Sequence, residues 1–326
     1  MAIEFRALKI LIVSPASLPN GNASSAARWA SELTALGHEI VVSSCWKGEE
    51  VDLLVALNAE KSHHAVAGCR ANVRTPVVVA LTGTDLYPEL SMTSLASLEM
   101  ADRIVVHQHK ALARLPEPYQ SKACIIPFSI PDHPALVKNQ KADENNFTVC
   151  VVGHLRAVKD PMRTARAARL LPAGSRIRVL HAGAILERRF AKEVEREEAE
   201  NPRYRWLGLL AKDEACQLIA SSDLFALTSL QEGGGCAMNE AAAAQTPIVA
   251  SHNDASTSLL GEDFPGLFPF GDTAKLSALL LRCESEPAFC CQLVENAASH
   301  LGEYRNDPRN GSWSSLLEDL FPSVPS

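Results

Sequence analysis

The chain has 326 residues, 47% hydrophobic and 21% charged, a balance that excludes a disordered or fibrous protein and, at roughly 150 residues per domain, predicts two globular domains. Its 31 basic residues against 38 acidic ones leave a net charge of −7. Nucleic-acid and anionic-membrane binding are therefore not expected, and any anionic ligand needs a local cluster of positive groups.

In chain order, Leu8–Val13 reads as a fully buried parallel strand. A helix is predicted from about Ser24 to Leu36, with Gly37 as its C-cap. Further strands are predicted at Glu39–Ser43, Leu53–Leu57, Val77–Leu81, Arg103–His107 and Ala123–Ile126. The segment Pro127–Asn146 carries prolines and charges with little periodic apolar content, and reads as a linker. A second series of strands follows at Phe147–Val152, Arg176–His181, Arg205–Leu207, Leu224–Leu227 and Ile248–Ala250. Helices are predicted at Pro161–Leu171, Leu186–Glu200, Lys212–Ala220, Cys236–Gln245 and Thr273–Ser285, with a last amphipathic one at Trp313–Phe321. The charge-dense stretch Glu187–Glu200 reads as a solvated helix face, and so do Arg163, Arg166 and Arg169.

Alternation of strand and helix predicts an α/β fold of two Rossmann-like, doubly wound domains facing each other across a cleft. The expected divisions are 1–130 for the first domain, 131–146 for the linker, 147–304 for the second domain, and 305–326 for a C-terminal helix packing back toward the first. The nine cysteines are odd in number and lack C-x-x-C spacing. With no signal-peptide pattern in MAIEFRALKILIVS and no apolar run of membrane-spanning length, a reduced, cytoplasmic protein is expected. His63-His64 and His107-x-His109 lack a matching cysteine or carboxylate cluster, so no zinc site is expected.

Ligands of such sheets sit at the carboxyl ends of the strands, so the loops there carry the chemistry. After the first strand comes Ser14–Asn22, which is not a G-x-G-x-x-G turn; Asn20, Gly21 and Asn22 there can bring backbone amides close to a ligand. Thr82, Gly83, Thr84 and Asp85 form a dense polar group after another strand, although a helix cap explains Thr84 or Asp85 as well. In the second domain, Gly153-His154-Leu155-Arg156-Ala157-Val158-Lys159 combines a glycine with two cations on one strand-to-helix loop, which suits a diphosphate. The strongest signal is Glu232-Gly233-Gly234-Gly235-Cys236-Ala237-Met238-Asn239-Glu240. Its glycines present free amides at a helix start, and its two carboxylates can hold hydroxyls at two ends of one extended ligand.

With these motifs in this order, the chain resembles the retaining GT-B glycosyltransferases of the glycogen-synthase-like group over nearly its whole length. The family's E-x7-E motif falls on Glu232 and Glu240. Its G-R-x4-K loop appears in altered form: His154 stands in place of the arginine, Lys159 keeps the lysine position, and Arg156 lies two residues late. Many members carry a histidine within the stretch that is Asp52–Lys61 here, where this chain has Asn58. The resemblance implies a UDP-sugar donor bound by Gly153, His154, Arg156, Lys159, Glu232, Gly233, Gly234, Gly235 and Glu240. Glu240 would hold the ribose and Glu232 the hexose, while Lys159, Arg156 and the amides of Gly234 and Gly235 offset charge on departing UDP. Asn20, Gly21, Asn22, Thr82, Gly83, Thr84 and Asp85 would face the acceptor. No Asp-x-Asp occurs, so neither a metal nor another cofactor is expected.

Within the family, the strings LTGTDLY, VVGHLRAVKDP, NPRYRWLG and EGG…EA resemble those of the selenosugar synthases of selenoneine biosynthesis. That implies GlcNAc or Glc transfer from a UDP-sugar to selenophosphate, with formation of a C–Se bond and a functional link to other enzymes of that route. An ordinary retaining O-glycosyltransferase using an alcohol acceptor and a non-catalytic UDP-sugar-binding protein stay open beside it.

Overall fold

A computed structural model describes residues 6–15, 21–72, 75–128, 133–137 and 145–322. They form two compact units, one drawn from residues 1–128 and 305–326, the other from 129–304. No helix among the described residues is long and apolar enough to cross a membrane.

The first unit holds strands β1 (Lys9–Val13), β2 (Glu39–Ser43), β3 (Leu53–Leu57), β4 (Val77–Ala80), β5 (Arg103–Val106) and β6 (Ala123–Ile125). They hydrogen-bond in the order β2-β1-β3-β4-β5-β6, every pair parallel. The all-apolar LLVAL of β3 is buried throughout because helices cover both faces of a parallel sheet, whereas β2 at the edge leaves Val41 and Val42 exposed. The winding direction reverses between β1 and β3, so the loops that follow them leave the same sheet edge side by side.

The second unit holds β7 (Phe147–Val152), β8 (Ile177–Ala182), β9 (Tyr204–Gly208), β10 (Leu224–Leu227), β11 (Ile248–Ser251) and β12 (Leu267–Phe268). Their order is β12-β11-β10-β7-β8-β9, again parallel, and the reversal falls between β7 and β10. Val149, Cys150, Leu224, Phe225, Ile248 and Val249 are wholly buried in its core.

Several expectations are corrected. The first helix spans Gly21–Ala35, so Gly21 and Asn22 lie in its first turn instead of in a preceding loop. The sequence reading omits β12, a two-residue strand between turns, and the helix Asp254–Leu260, whose Ser and Thr content obscures an apolar stripe. Asn253 starts that helix by accepting from the amides of Ala255 and Ser256 at 3.1 and 3.0 Å. The helices His63–Asn72, Met92–Met100 and Pro287–Arg305 are also additional to the prediction. The stretch read as a linker contributes Pro134–Leu136, a short 3-10 turn whose Leu136 is buried in the second unit's core.

The charge-rich helix Arg189–Glu200 is not simply a solvated face. Phe190, Val194 and Glu197 share one buried side, which places an acid at a core-facing position of the repeat. Glu197 there accepts from Arg169 Nε and Nη2 at 2.8 and 3.0 Å and from Asn201 Nδ2 at 2.8 Å. Replacing Glu197 with Ala leaves one N–H of the buried Asn201 amide unpaired, its other bond to Ala165 O being kept, and leaves Arg169 with Glu200 alone. Urea unfolding is expected to show a loss of about 1–3 kcal/mol, against a change within about 0.5 kcal/mol for the exposed Glu193→Ala.

Candidate functional site

Gly153 follows β7 directly and is pinned on two sides. Its amide donates to Ala182 O at 2.9 Å, and its carbonyl accepts from His181 Nε2 at 3.1 Å. A carbonyl can only accept, so that ring nitrogen carries the proton, and neutral Nδ1 accepts from the Tyr204 hydroxyl at 3.1 Å. Gly183 passes so close that a Cβ there would lie 2.0 Å from Gly153 O. The loop then runs through the 3-10 turn Ala157–Lys159 and ends at Asp160, in the left-handed region at φ 41°. Glu187 accepts from the amide of Ala157 at 2.7 Å, and Thr228 Oγ1 donates to the carbonyls of Lys159 and Asp160 at 2.9 and 3.0 Å. Arg163 holds the Asp160 carboxylate at 2.6 Å. With its backbone held this firmly, the loop presents its cations at fixed positions.

Arg156 and His154 differ in how they are used. His154 Nδ1 accepts from the amide of Ala184 at 3.1 Å, an interaction that joins two loops. The Arg156 guanidinium has no hydrogen bond among the described residues, and its Nε is buried. A buried donor without a partner costs stability unless a ligand fills the role.

The glycine-rich turn follows β10. Gly235 is the N-cap of the helix Cys236–Ala243 at φ 60°, and a Cβ there would meet Met238 Cε at 2.8 Å and Leu259 Cδ1 at 3.0 Å. Asn239 Nδ2 reaches back to the carbonyls of Gly234 and Gly235, both at 3.0 Å, and holds the turn in place.

Because β7 and β10 are neighbours, the two loops meet. Lys159 Nζ donates to Glu232 Oε1 at 2.5 Å, and Ser229 Oγ donates to the same oxygen at 2.6 Å. Glu240 is paired in the same manner: its Oε1 accepts from Lys212 Nζ. Each carboxylate therefore keeps one oxygen with no hydrogen bond among the described residues. Both acids are thus half-occupied by protein donors, where the sequence reading has them wholly available to a ligand. Lys212, Ser229, His181 and Glu187 are absent from that reading. Of the four, only His181 carries a local signal, a histidine at the end of a buried strand.

In the first unit, Thr82–Asp85 follows β4 and meets Asn58, which follows β3. Asn58 Nδ2 donates to Thr82 Oγ1 at 3.0 Å and Thr84 Oγ1 at 3.2 Å, and its Oδ1 accepts from the amide of Lys61 at 3.0 Å. Asn58 holds φ 70°, a conformation that asparagine tolerates better than most residues. Asp85 is buried and accepts from the amides of Thr82 and Ala59 at 2.9 and 2.8 Å. Burial pushes its carboxyl above the ordinary range, and those amides oppose the shift. The carboxylate therefore shapes the loop, while Thr84 is exposed at the tip and Gly83 takes φ 106°. Asn20 lies outside the described residues.

The described residues hold no group of three or more His, Cys, Asp or Glu side chains disposed to bind a metal ion. All nine cysteines are free of disulfides.

Two Rossmann-like sheets, one bearing a basic loop beside a glycine-rich helix start, define an α/β protein of the GT-B class. Residues 132–300 match the family model of glycosyl transferases group 1, and the chain belongs to that family. It is 24% identical over 344 residues to glycosyltransferase 1 domain-containing protein 1 of Xenopus tropicalis, with 97% of each chain covered. Among solved structures it is similar to HepE of Anabaena in complex with UDP-glucose, with TM-score 0.71, 18% identity, and 92% of this chain and 96% of that one covered. It is also similar to sucrose-phosphate synthase of Thermosynechococcus elongatus, with TM-score 0.72, 14% identity and 97% of both chains covered.

Burial pushes His181 and His107 down to about 4. Each folded-state value lies below the unfolded one of about 6.5, so the unfolded chain binds more protons between those limits. Stability is therefore present above pH 6.5 and lost as pH falls toward 4, by up to about 3 kcal/mol per ring. Unfolding of His181→Gln across that window should show a shallower fall than the unaltered protein. An equal fall in both would show that His181 is not held neutral.

Proposed function

We propose that the protein transfers a hexosyl group, GlcNAc or Glc, from a UDP-sugar to selenophosphate. One observation carries the donor half of this reading. Arg156, with no hydrogen bond among the described residues, Lys159, the amides of Gly234 and Gly235, and one oxygen each on Glu232 and Glu240 without a hydrogen bond among the described residues lie along adjoining loops of one sheet edge and the helix that one of them opens. Cations and helix-start amides match a diphosphate, and carboxylate oxygens match sugar hydroxyls. The family, and the fold shared with HepE solved with UDP-glucose, support the same choice.

In this reading Arg156 and Lys159 take the charge that grows on UDP as the C1–O bond breaks, where electrostatic stabilisation acts most strongly. Glu240 takes the ribose hydroxyls and Glu232 those of the hexose. The electron pair of the broken bond leaves with UDP, and selenium supplies the pair of the new C–Se bond. Selenophosphate is already anionic and needs no base, which fits Asn58 standing where many members carry histidine. No residue is assigned to a metal or other cofactor. Thr82, Gly83, Thr84 and the helix start at Gly21 and Asn22 are assigned to the acceptor, with Asp85 holding their loop.

A second reading has a specific observation behind it. Among the described residues, the side-chain partners of Thr82, Thr84 and Asp85 are the neutral Asn58 and one another, with no cation among them. Such a cluster also suits an alcohol acceptor and ordinary O-glycosyl transfer. Mass spectrometry of products from UDP-GlcNAc, with and without selenophosphate, separates the two. A selenosugar formed only with selenophosphate supports the first reading; efficient glycosylation of an alcohol, unchanged by selenophosphate, replaces it with the second.

Lys159→Ala removes a charge-assisted contact worth roughly 1.5–3 kcal/mol and leaves Glu232 without its lysine. Turnover is expected to fall at least about tenfold, measured by UDP release. Unaltered turnover would remove Lys159 from the donor site.

A further inference from the structure

We infer that Lys212 is a positioning residue that fixes Glu240 for ribose recognition; the inference rests on the donor reading above. Lys212 opens the helix Lys212–Ser221, which leaves β9 by way of Gly208, held at φ 74°. Ala211 donates its amide to Glu214 Oε2 at 2.8 Å, which anchors the first turn and with it the root of the lysine. From there the side chain reaches Glu240 on the neighbouring helix. The two ends of this pair differ sharply in environment: the Glu240 side chain is 4% exposed and that of Lys212 is 44% exposed.

That asymmetry assigns the roles. A carboxylate buried to this degree has lost most of its hydration, and a facing cation offsets that cost. Lys212 supplies the facing charge and holds Oε1, which leaves the second oxygen with no hydrogen bond among the described residues and able to accept from a hydroxyl. Glu240 has no other hydrogen-bonded cation among the described residues. The lysine is thus the one side chain whose loss would release the carboxylate while leaving it in place.

The test is calorimetry on the full chain with two probes, UDP and 2′-deoxy-UDP. The unaltered protein and Glu240→Gln establish the ribose preference and its dependence on the carboxylate. Lys212→Met is expected to weaken UDP about tenfold and 2′-deoxy-UDP less than about twofold, with Lys212→Arg restoring most of the difference. Because the second probe differs by one hydroxyl, a misfolded variant would lose both nucleotides alike. Equal losses for both probes in a Lys212→Met variant that unfolds in urea at the same midpoint as the unaltered protein, or a full ribose preference retained in it, would overturn the assignment while the donor reading stood. Failure of the unaltered protein to bind UDP would overturn the donor reading and this inference with it.

Discussion

Parallel pairing of β7 with β10, Val149 beside Leu224 and Cys150 beside Phe225, is the constraint on which the candidate site depends. The strands are not consecutive: the chain winds outward through β8 and β9 before returning to the other side of β7. Parallel neighbours deliver their following loops to the same sheet edge, and the reversal of winding leaves room between those loops. The basic loop after β7 and the glycine-rich turn after β10 become partners for that reason alone.

Around this junction, charge is almost completely compensated. Lys159 holds Glu232, Lys212 holds Glu240, and Arg163 holds Asp160. Pairing of this kind avoids the large cost of stranded ions in a low-dielectric site, though it contributes less to net stability than its distances suggest. What it leaves without a hydrogen bond among the described residues is specific: one oxygen on each of two carboxylates and the guanidinium of Arg156. Hydroxyl acceptors beside a cationic donor are the complement of an anionic, polyhydroxylated ligand.

The first unit repeats the principle with neutral groups. Neighbouring β3 and β4 bring Asn58 to Thr82 and Thr84, and the buried Asp85 carboxylate ties the second loop to the first through the amide of Ala59. Asn58 serves by conformation as well as by hydrogen bonding, since its left-handed backbone turns its amide onto both threonines.

The sequence by itself determined the α/β architecture, because short apolar runs such as LLVAL and KILIV alternate with helical stretches, the pattern of a parallel sheet covered on both faces. It also singled out Gly153–Lys159 and Glu232–Glu240 as candidates, since glycine, cation and carboxylate at a strand end form a local pattern. Only the tertiary structure decided how these residues are used. Lys212 looks like any lysine at a helix start until the helix of Glu240 lies beside it, and Glu197 looks solvated until its side of the helix meets Arg169. Asp85 likewise reads as a ligand contact until its carboxylate is found spent on backbone amides. The physical reason is common to all three. Hydrophobic patterning and turn chemistry act over a few neighbouring residues, whereas ion pairing and burial depend on which distant segments the sheet order brings together.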